Sequence, residues 1–284
     1  MKLRSSASVR LRVALPVVTL ALCLSGTAPA HAAGKKKKKK KEVAENYDAT
    51  LPQPDLLPTA LMPQPLLGAC DGIGAPLAAA GHVANKRLGG IDVSHYQGNI
   101  NWREVARNRD IHYVYLKATE GAKLVDETYQ RNLREAKRAG LKVGCYHFYS
   151  PTAPVKDQFR NFSSVVKLKD HDLIPIIDIE HRGKAPLAQF QNNLKQFLRL
   201  VEKHYGVQPI LYTSRDFYNK YLSGPFTHYK YMIARYHTDI PELCDQAAFV
   251  MWQYSQTSRI PGIRGNVDRS CFMDSYGMSE ILLR

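Results

Sequence analysis

The run Leu173-Ile174-Pro175-Ile176-Ile177-Asp178-Ile179-Glu180 decides how the rest of the chain is read. It is an apolar stretch of the kind found in strands buried on both faces, and it ends in two carboxylates. Residues two apart on a strand point the same way. Asp178 and Glu180 are therefore expected to emerge together at the strand's C-terminal end, while Ile177 and Ile179 turn into packing. Two acids at the mouth of a buried strand are costly unless solvated, paired or used. Bond chemistry on a sugar needs such a pair, one carboxyl protonated and one ionised. An isolated D-x-E is more often a strand running into a polar loop, but the surrounding sequence points the other way.

Outward from this run, strand-like and helix-like segments alternate. Residues 90–94, 111–118, 142–149, 209–213, 231–236 and 249–254 read as further strands. Residues 128–139 have helical spacing, with Leu133 and Ala136 among the apolar positions and Gly140 as the stop. Val155, Phe159, Phe162 and Val166 mark a second helix; Phe190, Leu194, Phe197, Leu198 and Val201 mark a third that stops near Gly206. The fold class expected is α/β, an irregular TIM-like (β/α) barrel whose active site lies at the strands' C-terminal face. Asp92, Tyr146, Phe148, Asp178, Glu180, Tyr212, Arg235, Trp252 and Tyr254 all fall at or near predicted strand ends. Acids and aromatics thus share one rim, as a carbohydrate cleft requires.

The barrel is expected over residues 87–284. Residues 1–32 read as an export signal: Lys2, Arg4, Arg10 and Arg12 precede an apolar core, and small residues at Ala28, Ala30 and Ala32 offer cleavage sites. The protein is therefore expected to be exported, periplasmic or secreted. Residues 33–86 read as a linker, with the lysine run Lys35 through Lys41 followed by a proline-rich stretch. The net charge of +15 arises mainly here, because the first 41 residues hold eleven Lys/Arg and no acids, leaving +4 beyond them. A weak attraction of Lys35–Lys41 to anionic surfaces is the corresponding expectation. Basic and aromatic residues do not interleave as in a nucleic-acid module, and a monomer is expected. Of the cysteines beyond the signal, Cys70, Cys145, Cys244 and Cys271, the pair Cys244–Cys271 is preferred as a disulfide and Cys145 as a buried thiol.

In order along the chain stand G-I-D-V-S-H-Y-Q-G at 90–98, K-A-T-E-G at 117–121, G-C-Y-H-F-Y at 144–149 and I-D-I-E at 177–180. Y-T-S at 212–214, A-R-Y at 234–236, W-Q-Y-S at 252–255 and G-I-R-G-N-V-D at 262–268 follow. This ordered set resembles the muramidases of glycoside hydrolase family 25, lysozymes with an irregular β/α barrel. The resemblance implies hydrolysis of the β-1,4 bond between N-acetylmuramic acid and N-acetylglucosamine in peptidoglycan glycan strands. It implies Glu180 as general acid, Asp178 as the neighbour assisting the substrate's N-acetyl group, and Asp92 and Asp268 as the other two acids. Asp268 is placed after the last strand. Tyr146, Phe148, Tyr212, Arg235, Trp252 and Tyr254 are the implied substrate-binding residues. Retaining and inverting routes both remain open. The run Arg269-Ser270-Cys271-Phe272 departs from the family pattern, and Arg269 bears on substrate detail rather than on the acids.

Other chemistries find less support. The ten histidines include no H-E-x-x-H and no Cys/His cluster with zinc spacing, so neither metal nor cofactor is expected. His95, His147 and His181 read as polar lining of the rim. Glu120 reads equally as a site residue or as half of an ion pair. Ser94 and Ser214 lack a positioned base, and Gly144 and Gly265 read as backbone requirements. A non-catalytic glycan-binding protein on the same barrel is the alternative from another class, and a chitin-type polymer is the alternative substrate.

Overall fold

Residues 111–120, 176–178, 210–214 and 231–234 are rich in β-branched and aromatic residues, and with the other strands they make one sheet that closes on itself. The computed structural model describes residues 84–284. The signal, the lysine run and nearly all of the expected linker lie outside the described residues. Nine strands are formed: β1 (Ala84–Val93), β2 (Ile111–Glu120), β3 (Leu124–Val125), β4 (Lys142–Phe148), β5 (Ile176–Asp178), β6 (Ile210–Ser214), β7 (Tyr231–Ala234), β8 (Met251–Ser258) and β9 (Val267–Met273). Their order is β1-β9-β8-β7-β6-β5-β4-β2-β3, and a further β1–β2 pairing closes an eight-stranded barrel with β3 outside it. Seven staves are parallel, whereas β9 runs antiparallel between β8 and β1.

Helices cover the first half of the barrel more regularly than the second. The short α1 (Trp102–Val105) follows β1, α2 (Tyr129–Arg138) precedes β4, α3 (Val155–Val165) precedes β5, and α4 (Leu187–Tyr205) precedes β6. Gly206 ends α4 in the left-handed conformation, at φ 68°, with its N–H donated to the Glu202 carbonyl. Between β6 and β7 there are only short helical turns, and no helix separates β7 from β8 or β8 from β9.

Three local expectations need correction. The ladder of β5 covers only Ile176–Asp178, because Pro175 has no N–H to give. Its carbonyl still accepts from the Ile210 N–H at 3.0 Å. Asp268 lies on the last strand rather than after it; the polar Asp268-Arg269-Ser270 core of β9 hid the strand from a reading by hydrophobicity. The N-terminal strand begins at Ala84, so the boundary placed at 87 cuts β1.

Strand alternation sorts the side chains into two layers. Ile91, Leu116, Cys145, Ile177 and Ile179 point outward, into a layer with Phe190, Leu194 and Phe197 of α4. Tyr113, Tyr115, Ile176, Ile210, Met232, Met251 and Phe272 fill the barrel interior. The two β2 tyrosines explain the flanking glycines. A Cβ on Gly90 would lie 2.2 Å from the Tyr113 ring, and one on Gly144 would lie 2.4 Å from the Tyr115 ring. Gly144 is therefore required by side-chain packing, not by its backbone dihedrals, whereas Gly265 has φ +84°. The rings are tied in place by a Tyr113–Ser270 hydroxyl pair at 3.0 Å and by Tyr115 donating to the Ile174 carbonyl at 3.1 Å.

Candidate active site

At the mouth of the barrel four carboxylates converge. Asp92 rises from β1, Asp178 from β5, Glu180 from just past β5, and Asp268 from β9. Because β9 is antiparallel, its first residues stand where the other strands end, and Asp268 is the register partner of Asp92. The four acids line one lobe of a cleft together with Tyr146, Tyr212 and Gln253. Glu180 and Tyr212 also line an adjoining lobe with Ser214, Arg215, Asp216, Arg235 and Tyr236. Glu180 thus stands where the two lobes meet.

Crowding and desolvation set the charge state. Asp92 is pushed up to about 7 by burial, partly offset by a hydrogen bond from Gln253. Asp268 is pushed up to about 7 by burial, then by the charges of Asp92 and Glu180. Burial and the Glu180 charge hold Asp178 well above the usual carboxylate range. Glu180 keeps solvent-exposed surface, but it sits in a concavity crowded by protein, which raises its carboxyl as well. The Asp178–Glu180 pair retains a proton at a pH where an ordinary carboxyl has lost it. Lys117 opposes this from the side, and Asp178 Oδ1 has no hydrogen-bond partner among the described residues.

A network missed by the sequence reading organises the other wall. Gln253, only 3 % exposed, donates from Nε2 to Asp92 Oδ2 at 3.0 Å. Its Oε1 accepts from the Tyr212 hydroxyl at 2.8 Å and from the Tyr236 hydroxyl at 2.9 Å. One amide therefore orients an acid and two phenols. The signal available was the W-Q-Y-S motif itself, in which alternation lets either the glutamine or the two aromatics face inward.

The structure places Gln253 inward, which corrects two expectations. Trp252 is 1 % exposed and its Nε1 donates to the Arg235 carbonyl at 2.9 Å, so its ring is core rather than a sugar platform. Tyr254 points the same way as Trp252, and Lys86 stands over both rings. Tyr146 and Tyr212 do line the cleft. Phe148 is nearly buried, against His181 and under the Lys117 ammonium. Arg235 lines the second lobe. Glu120 forms an ion pair with Lys117 at 2.5 Å, the structural half of its two readings.

Other sequence expectations resolve similarly. His147 is not at the rim but fully buried between Phe162 and Phe197, and burial lowers its pKa to about 3. His95 bonds Asp126 at 2.9 Å. The Ser94 and Ser214 hydroxyls accept backbone N–H groups as helix caps. The expected Cys244–Cys271 disulfide is not formed: Cys271, like Cys145, is a free buried thiol, while Cys244 is disulfide-bonded. Cys271 sits on the outward face of β9, packed into the core.

Comparison with known proteins agrees with this geometry. The family model described as Glycosyl hydrolases family 25 matches residues 91–263. The Escherichia coli K12 protein YegX is 36 % identical over 193 residues, 66 % of this chain and 71 % of that protein. Lysozyme M1 of Streptomyces globisporus is 28 % identical over 218 residues, 72 % of this chain and 74 % of that one. Among solved structures, a family 25 glycosyl hydrolase from Bacillus anthracis superimposes with a TM-score of 0.62 at 27 % identity, covering 72 % of this chain and 100 % of that chain. With four carboxyls gathered at the mouth of a closed mixed barrel, the chain belongs to glycosyl hydrolases family 25 and is a glycoside hydrolase of the lysozyme type.

Proposed function

We propose that the protein is an exported muramidase that cleaves the β-1,4 bond between N-acetylmuramic acid and N-acetylglucosamine in peptidoglycan. The observation that carries this reading is the convergence of Asp92, Asp178, Glu180 and Asp268 on one cleft lobe, with Glu180 where that lobe meets the second. The names of related lysozymes support the substrate class, and the basic and apolar segment at residues 1–32 supports export.

In this reading Glu180 gives its proton to the glycosidic oxygen as the bond to the anomeric carbon breaks. The substrate's own N-acetyl oxygen closes on that carbon. Asp178 accepts the N-acetyl N–H, which supplies the partner that its Oδ1 lacks. Water then opens the ring intermediate while Glu180 takes back a proton, so configuration is retained. No protein nucleophile is required, a known departure from the two-carboxylate scheme.

Mass spectrometry of fragments released from purified peptidoglycan by the full chain tests the reading, with Glu180→Gln as control. Reducing N-acetylmuramic acid ends are expected, falling about a thousandfold or more in the control. Reducing N-acetylglucosamine ends would assign the wrong bond. No fragments from a folded chain would make it a glycan-binding protein.

A further inference from the structure

The second lobe of the cleft contains a cation that the catalytic chemistry above does not use. Arg235 stands just past β7, its backbone fixed by its N–H on the Gln253 carbonyl at 3.1 Å and by Trp252 Nε1 on its own carbonyl. Arg235 as a residue is half-buried; its guanidinium makes one marginal contact, Nη1 to the Ile240 carbonyl at 3.5 Å, and among the described residues it has no acidic partner. The neighbouring Arg215 differs, because Asp216 holds its Nε and Nη2 at 2.9 and 2.6 Å. The Tyr212 and Tyr236 hydroxyls in the same lobe are already committed to Gln253. A guanidinium with no carboxylate partner, lining a substrate cleft, keeps its planar fork available to a carboxylate of a ligand.

The adjoining acids narrow the choice of anion. Four carboxyls line the first lobe, so a polyanion would be repelled. A single carboxylate on an otherwise neutral sugar chain would not. We propose that Arg235 makes the second lobe a carboxylate site for the acidic group borne by muramic acid. That group is either the lactyl carboxylate itself or a carboxylate of the attached peptide stem. This rests on the muramidase reading and deepens it, giving the cleft a means of telling peptidoglycan from neutral polymers of N-acetylglucosamine.

The test is calorimetric binding to the full-chain Glu180→Gln protein, which leaves glycans uncleaved. Four tetrasaccharides serve as probes: alternating N-acetylglucosamine and N-acetylmuramic acid with free lactyl carboxylates, its lactyl amide, its stem-bearing form, and chitotetraose. A carboxylate form is expected to bind about tenfold tighter than the amide and chitotetraose, an advantage lost in Glu180→Gln/Arg235→Gln. Preference for the free lactyl form names the lactyl group as the source, and preference for the stem-bearing form names the stem. Equal affinity for all four, or a preference that survives loss of Arg235, overturns the proposal. Should the double variant not fold, the amide comparison alone decides, since it leaves Arg235 in place. Arg235-dependent binding with no glycan cleavage by the unmodified chain would keep the carboxylate site and discard the hydrolase reading.

Discussion

Asp92 on β1 and Asp268 on β9 face each other as paired residues of an antiparallel ladder, and the charge of Asp92 helps to raise Asp268. Both carboxyls sit near 7 instead of near 4. A carboxyl whose folded pKa is raised binds its proton more tightly folded than unfolded. Each therefore favours the folded state below its unfolded pKa and weakens it progressively as pH rises toward 7.

Asp268→Asn is accordingly expected to stabilise the protein most at pH 8, by about 1–2 kcal/mol once solvent screening of this half-buried group is allowed for. The gain should shrink as pH falls toward 4. Urea unfolding at pH 4, 6 and 8 measures it. A gain independent of pH would mean that charge crowding is not its cause.

The Asp178–Glu180 pair governs the alkaline limb of activity. Hydrolysis is expected to decline as the shared proton is lost, and Asp178→Asn leaves Glu180 without the second carboxyl that titrates together with it. The alkaline limb of kcat/KM should then move to lower pH, and kcat should fall about a hundredfold. A pH–rate profile of both proteins reads this directly. An unmoved limb would assign the titration elsewhere.

Gln253→Leu strips one acid and two phenols of their common partner. Losses of about 1–3 kcal/mol in stability and about a hundredfold in kcat/KM are expected, because Tyr212 and Tyr236 lose their acceptor and Asp92 its donor. Removing that donor also raises Asp92 further, so the variant's pH profile should change shape. Thermal melts and kinetics at several pH values separate the two effects.

Cys145 and Cys271 are fully buried, and burial raises both thiols to about 12. Neither should be alkylated by iodoacetamide in the native protein, and both should be modified within minutes after denaturation. Peptide mapping distinguishes them. Native labelling of Cys271 would show that the outward face of β9 opens to solvent.

The sequence carried the acids because the chemistry of a buried strand ending in D-x-E is conspicuous, and α2, α3 and α4 because their apolar faces repeat; the one-turn α1 is too short to show such a repeat. It did not carry parity. W-Q-Y-S reads equally with its aromatics or its glutamine inward, and only the pairing of β8 with β7 and β9 decides for Gln253. Hydrophobicity also missed β9, whose central residues are polar because one, Asp268, faces the cleft and another, Ser270, meets a tyrosine hydroxyl inside the barrel. His147 looked like rim chemistry for the converse reason, being a polar residue whose partners, Thr119 and Gln158, come from distant elements.

The reversed stave has a consequence for how the molecule comes into being. β1 is made first, yet one of its edges can be covered only by β9, whose residues emerge from the ribosome some 170 positions later. Until then β1 can pair only with β2, Asp92 has no Asp268 opposite it, and the barrel stays open along a seam. Closure of that seam pairs strands far apart in the chain, a step that contact order makes slow. A nascent or truncated chain lacking residues 267–273 therefore exposes two unpaired edges, and its cleft holds three carboxyls in place of four.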